Sequence, residues 1–245
     1  MQIIQESVML DTPTGKMRAV VHRPTESGQY PGLLFYSEIF QLTGPILRSA
    51  AMIAGHGYVV VAPEVYHDHL PAGTVLKYDD NDKETGNRLK KETTMESFDQ
   101  GAQAVIDYLE KDQQCSGRLA SMGFCLGGHL AFRAALHPRI KAGVCFYATD
   151  IHSSTLGKNQ PCDTFQRIKE IQGEMLMIWG RQDPHIPPEG RLKVYEKMTQ
   201  EKLNFAWHEF NGAHAFMRDE GDRYNPSLAR QCYGLAVDML DRVLK

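Results

Sequence analysis

The 245-residue chain is poor in cysteine: it has five, an odd number, and none falls in a C-x-x-C pair. That scarcity excludes a disulfide framework and a zinc ribbon, and it points to reduced thiols in a cytoplasmic setting. Long apolar runs are also missing. The longest reach about six residues, against the roughly 20 that a membrane-spanning helix needs. The N-terminus, Met1-Gln2-Ile3-Ile4-Gln5-Glu6, has neither the basic start nor the apolar core of a signal peptide. A formal net charge of −3 provides no basic footprint for nucleic acid or for an anionic membrane. Internal repeats, low-complexity stretches and Ser/Pro linkers are absent too, so residues 1–245 read as a single domain.

What is present is a recurring strand–helix rhythm. Strand-like runs fall at Ile3–Met9, Met17–His22, Gly32–Tyr36, Val59–Ala62, Arg118–Met122, Ala142–Tyr147, Met175–Trp179 and Asn204–Glu209. The first two, joined through Pro13-Thr14-Gly15, read as an antiparallel hairpin. From Gly32 onward the alternation predicts an α/β fold, a mostly parallel sheet with helices on both faces. Ala102, Val105, Ile106 and Leu109 share one face of a helix over about Met95 to Glu110. Asn225-Pro226 reads as an N-cap and first residue of a final helix that docks Leu235, Met239, Leu240 and Val243. Residues 64–94 form a long polar insertion without clear periodicity, of the kind that often walls an active site.

Gly123-Phe124-Cys125-Leu126-Gly127-Gly128 is the most informative segment. A G-x-C-x-G-G turn between a strand and a helix is a nucleophile elbow of α/β-hydrolase type, with cysteine in place of serine. The glycines read as small residues that let strand and helix pass closely, and as residues that tolerate the backbone angles of a sharp turn. Cys125 stands at a helix N-terminus, where the helix dipole favours a thiolate. A glycine-rich strand–helix turn can also bind phosphate, but the P-loop reading fails because no Lys-Ser/Thr follows the glycines, and a dinucleotide G-x-G-x-x-G is not present.

A thiol needs a base, and the base needs an orienting acid, in that chain order for this fold. Asp183, in Trp179-Gly180-Arg181-Gln182-Asp183, follows a strand and precedes the helix that Pro187-Pro188 opens. A turn or N-cap aspartate is the competing reading. His214, in Asn211-Gly212-Ala213-His214-Ala215-Phe216, follows the last strand. Of the ten histidines, His129 and His137 lie on or after the elbow helix, facing away. His185 is too near Asp183 in sequence, and His208 lies inside a strand. His67-Asp68-His69 with Glu64 suggests a metal, but two histidines at i, i+2 on a strand point to opposite sides and no second cluster completes a set. No metal and no cofactor is therefore implied. Cys115, Cys145, Cys162 and Cys232 read as packing residues.

These residues resemble the dienelactone hydrolase (carboxymethylenebutenolidase) family. The resemblance runs from Pro31 to the last helix and rests on four motifs in order. They are Ser37-Glu38-Ile39-Phe40, the Cys125 elbow, Gly180-Arg181-Gln182-Asp183 and Gly212-Ala213-His214-Ala215-Phe216. It implies a carboxylic ester or lactone hydrolase with Cys125 as nucleophile, His214 as base and Asp183 as acid. The amides of Ile39 and Leu126 would form the oxyanion hole. Glu38 would contact the thiol and assist its deprotonation, and Arg218 would bind a substrate carboxylate. A second family arginine is replaced: gapless reading puts Lys83 there, and Arg88 lies close by. Tyr147 is retained. Asn87 and Lys90 stand where the family has aromatic positions, and Asp150 and His152 where a small neutral turn is usual. The implied partner is a small-molecule ester or lactone, anionic in class, with monomer and homodimer both open. The rival reading is a non-catalytic hydrolase-fold protein that binds an anionic small molecule or a partner. A redox-sensing Cys125 is a third, for which no resolving cysteine is near.

Overall fold

The computed structural model describes residues 1–158 and 161–245. Each of the eight strand-like runs forms a strand: β1 Ile3–Thr12, β2 Gly15–Pro24, β3 Tyr30–Tyr36, β4 Val59–Pro63, β5 Cys115–Phe124, β6 Ile140–Phe146, β7 Glu174–Gly180 and β8 Phe205–Phe210. The helices are α1 Gly44–Gly55, α2 Asp80–Glu92, α3 Met95–Lys111, α4 Leu126–Ala134, α5 Pro188–Gln200 and α6 Pro226–Leu244. The strands make one sheet in the order β1-β2-β4-β3-β5-β6-β7-β8. β1 pairs antiparallel with β2 and β2 with β4, while every pairing from β4 through β8 is parallel. This is the α/β-hydrolase architecture with its N-terminal antiparallel hairpin.

Burial follows position in the sheet. All five residues of β4 are buried, as the apolar run Val59-Val60-Val61-Ala62 requires of a central strand covered on both faces. β1 is an edge strand and leaves most of its residues exposed, including Ile4 and Met9. α3 and α4 pack on the middle of the sheet and on each other. Among the described residues, no helix is long and apolar enough to cross a membrane.

The strand order fixes where a site can form. From β3 the chain moves outward to β4 and then returns to the other side of β3 as β5. The crevice beyond the C-terminal ends of β3 and β5 is therefore a topological switch point, where open α/β sheets bind ligands. Ser37-Glu38-Ile39 leaves the end of β3 there, and Cys125 leaves the end of β5.

Two helices lay outside the sequence reading. α1 opens with Gly44-Pro45, proline in the first turn being compatible with its missing N–H. α2 occupies much of the polar insertion and buries only Gly86 and Leu89. Its helical signals are electrostatic. The Asp79 side chain caps the Asp82 N–H at 2.9 Å, Asp80 and Asp82 sit in the first turn, and Lys90 and Lys91 in the last. An apolar period is missing because the helix covers a cleft instead of docking on a core.

Candidate active site

The elbow is built by close backbone approach. A Cβ on Gly127 would lie 2.3 Å from the Ser37 carbonyl oxygen, and one on Gly123 would lie 2.1 Å from the Gly127 oxygen. Neither glycine, nor Gly128, has a positive φ. The strained angle falls on Cys125 itself, at φ 58° and ψ −119°. The expectation that glycines absorb the unusual backbone angles is thus corrected: they supply room, and Cys125 carries the strain. The Cys125 N–H donates to the Phe146 carbonyl at 3.0 Å, and its own carbonyl accepts from Gly128 and Thr149. These bonds pin a conformation that costs roughly 1–3 kcal/mol in isolation.

Cys125, Asp183 and His214 come together although they lie far apart in sequence. His214 Nδ1 donates to Asp183 Oδ2 at 2.6 Å, and Asp183 Oδ1 accepts the His185 N–H at 2.8 Å. All three side chains are buried or nearly so. Burial opposes charge on His214, yet its electrostatic interaction with Cys125, together with its hydrogen bonds to Asp183 and Cys125, pushes its pKa up to about 10. Tyr147, at φ 37°, is 1% exposed and sets its ring edge against His214, 5.1 Å between centroids. It supports the imidazole from behind and does not line the cleft.

Two backbone donors near Cys125 are unpaired among the described residues. Leu126 is the first residue of α4, whose N–H has no intrahelical acceptor. Among the described residues neither this N–H nor that of Ile39 has a hydrogen-bond partner. Ile39 is held from the other side by α2: a Cβ on Gly86 would lie 2.6 Å from the Ile39 oxygen, so only glycine fits there.

Glu38 is 4% exposed and its Oε2 has no hydrogen-bond partner. Its neighbour is Arg218, whose Nη1 lies 3.6 Å away, an ion pair too long for a good hydrogen bond. Burial raises the Glu38 carboxyl above its ordinary range, and Arg218 only partly offsets this. Arg218 in turn lies over the Tyr78 ring at 4.1 Å.

Cys125, His214 and Glu38 open on a cavity of about 200 Å³ whose outer wall is Tyr78 and α2. Two larger open grooves, of about 540 and 620 Å³, lie elsewhere and hold none of Cys125, Asp183 and His214. Lys83 reaches the cleft, 3.7 Å from Asp80. Arg88 does not: it points outward, half exposed, and pairs with Glu92 at 2.7 Å. Helix phase explains the difference. Lys83, Asn87 and Lys90, at i, i+4 and i+7, share the cleft face of α2, and Arg88 lies about 100° away from Asn87. Sequence reading placed Asn87 and Lys90 on the substrate side, where they are found, and missed His185 and Arg223 as cleft-lining residues. His185 packs its ring edge-on against His214 at 4.6 Å.

Two departures noted in sequence turn out to be partners. Lys90 donates to Asp150 at 2.9 Å, tying α2 to the loop after β6. Burial would raise the Asp150 carboxyl, but Lys90 overcomes this and holds it at about 2. Linkage makes the pair worth about 2 kcal/mol at neutral pH. That stability is present above the ordinary carboxylate range and is lost as pH falls through the lowered value. Asp150→Asn should therefore unfold at lower urea at neutral pH, with the gap narrowing below about pH 4. A gap that does not change with pH would contradict the pairing.

The other histidines and thiols have structural surroundings. Burial lowers His129 to about 4, and its Nδ1–H donates to the Thr149 carbonyl at 2.9 Å. His67 sits at the β1–β2 turn, 3.2 Å from Thr12 Oγ1 and 3.1 Å from Thr14 Oγ1. The five cysteines are free, and burial pushes Cys232 up to about 12.

Comparison with known proteins places the chain in a family. The dienelactone hydrolase family model matches residues 17–244. A Saccharomyces cerevisiae protein named "Putative carboxymethylenebutenolidase" is 38% identical over 240 residues, covering 94% of this chain and 88% of its own. The carboxymethylenebutenolidase of Pseudomonas putida is 24% identical over 211 residues, covering 86% and 85%. A solved dienelactone hydrolase-like promiscuous phosphotriesterase from metagenomic libraries superposes with a TM-score of 0.80 at 18% identity, covering 99% of both chains. With a match over most of its length and a relative well above 30% identity, the chain belongs to the dienelactone hydrolase family.

Proposed function

We propose that the protein hydrolyses an activated ester or lactone bearing a carboxylate, through a thioester on Cys125. The observation that carries this reading is the placement of Cys125 on a strained elbow beside a His214–Asp183 pair at 2.6 Å. Cys125 Sγ attacks the acyl carbon and its proton resides on His214, which the Asp183 carboxylate orients and stabilises as imidazolium. The oxyanion forms between the free N–H groups of Ile39 and Leu126. Such a donor is typically worth about 3–4 kcal/mol of barrier. Collapse of the tetrahedral intermediate breaks the C–O bond, and the leaving oxygen takes the proton from His214. Water then gives a proton to His214 and attacks the thioester, releasing the acid and regenerating Sγ.

A thiol is matched to enol or phenol leaving groups. With an ordinary alkyl ester, expulsion of the thiolate competes with expulsion of the alkoxide. Glu38, buried against Arg218, is proposed to assist deprotonation of Cys125 once a substrate carboxylate takes up Arg218. A nucleophilic thiol also suits a reducing compartment, the cytoplasm.

Steady-state hydrolysis of a dienelactone beside a neutral p-nitrophenyl ester tests the reading. Turnover of the dienelactone, with a lower KM than its methyl ester, is the expected result. Absence of turnover with every activated ester would leave a binding protein as the better description.

A further inference from the structure

Four cations line the cleft: Lys83, Lys90, Arg218 and Arg223. Three have a carboxylate within 4.0 Å, namely Asp80 for Lys83, Asp150 for Lys90 and Glu38 for Arg218. Among the described residues, Arg223 has none within that distance, the adjacent Asp222 included. The local acids are committed elsewhere. Asp219 takes a bidentate pair of bonds from Arg48 at 2.7 Å each, and Glu220 a third at 2.9 Å. α1 thereby draws two carboxylates off the loop that carries Arg218 and Arg223.

That loop is closed. The Asn225 N–H donates to the Phe216 carbonyl at 2.9 Å, and Arg218 Nε donates to the Glu220 carbonyl at 3.1 Å. Arg218 and Arg223 therefore stand on one ring of backbone directly after His214. The charge of Arg223 acts on both Glu38 and His185, which face the cleft from β3 and from the loop after β7. Arg223 lines the same cavity as Cys125.

We propose that Arg223 supplies the uncompensated positive charge that selects an anionic substrate. Arg218 then contributes orientation, its own charge being shared with Glu38. This rests on the hydrolase reading for the word substrate, but the anion site itself does not. A carboxylate entering the cleft meets Arg223 without displacing any existing ion pair. At Lys83, Lys90 or Arg218 it competes with a resident acid. The second cation that the family places in the insertion is thus provided here by the loop after β8.

Alkylation of Cys125 by iodoacetate and by iodoacetamide tests this without turnover, because the two reagents differ in charge and little in size. Wild type should react faster with iodoacetate, relative to iodoacetamide, than Arg223→Gln does, by about tenfold at low salt. Lys83→Gln should keep the wild-type ratio within about twofold. With esters, Arg223→Gln should raise KM for a carboxylated substrate, leave kcat near wild type, and spare the methyl ester. An unchanged alkylation ratio in Arg223→Gln would overturn the proposal. So would equal slowing with both reagents, or a wild-type iodoacetate-to-iodoacetamide rate ratio no higher than that of a small neutral thiol. An intact preference for iodoacetate in a protein that hydrolyses no ester would instead count against the hydrolase reading and for the anion site.

Discussion

Cys125→Ala loses ester and lactone turnover by roughly 10⁵–10⁶-fold, the size of effect seen when a nucleophile is removed from an intact triad. The fold survives, and urea unfolding stays within about 1 kcal/mol of wild type. The reason for the second half is local. The elbow strain at φ 58° comes from the backbone and the Cβ, and alanine keeps both. What disappears is one sulfur atom facing the cleft, so no closed cavity is left behind. His214 also loses a partner, and its pKa should fall from about 10 toward the ordinary histidine range, because the Cys125 side chain is among the groups that raise it. Residual activity within about tenfold of wild type would remove Cys125 from the chemistry. A Cys125→Ala protein that fails to fold would show that the thiol holds the elbow, a role the geometry does not give it.

Gly127→Ala has the largest expected effect on stability, a loss of at least about 3 kcal/mol or failure to fold. Its new Cβ would lie 2.3 Å from the Ser37 oxygen and 2.6 Å from the Tyr36 oxygen, both backbone atoms. Rotation of a side chain cannot relieve such a clash. β3 is fixed by parallel pairing of Tyr36 with Gly123, and α4 is fixed by its start at the elbow. Relief requires moving the end of β3 away from α4, which also separates the Ile39 and Leu126 amides. Gly234→Ala is the matched control. It lies within α6, a Cβ there meets nothing within 4 Å, and it should stabilise by about 0.5–1 kcal/mol. A Gly127→Ala protein as stable as wild type would mean that the strand–helix contact is looser than an approach of 2.3 Å implies.

The sheet was legible because its evidence is local and redundant. Buried parallel strands such as Val59-Val60-Val61-Ala62 announce themselves as apolar runs, and turn residues bracket them. Cys125, Asp183 and His214 could be picked because each follows a strand, and strand ends converge on one edge of the sheet. The cleft was harder to read. α2 lacks the apolar stripe by which helices are recognised, so its phase was unavailable, and Arg88 was grouped with Lys83 by proximity in sequence alone. Reading Asp79 as an N-cap, with acids in the first turn and lysines in the last, would have recovered that phase. It would have selected Asn87 and Lys90 over Arg88. The family resemblance placed Tyr147 among the substrate-binding residues; its positive φ turns the ring inward onto His214. Arg223 gave no signal, since nothing in the sequence says that Arg48 will engage Asp219 and Glu220.

Trapping the acyl-enzyme tests the central claim most directly. Wild-type protein mixed with a p-nitrophenyl ester, acid-quenched within the first turnover and digested should show the acyl mass on the peptide containing Cys125. The adduct should be labile to hydroxylamine, as a thioester is, and absent from Cys125→Ala. An acyl group on another residue, or product formation without any covalent intermediate on Cys125, would contradict the mechanism.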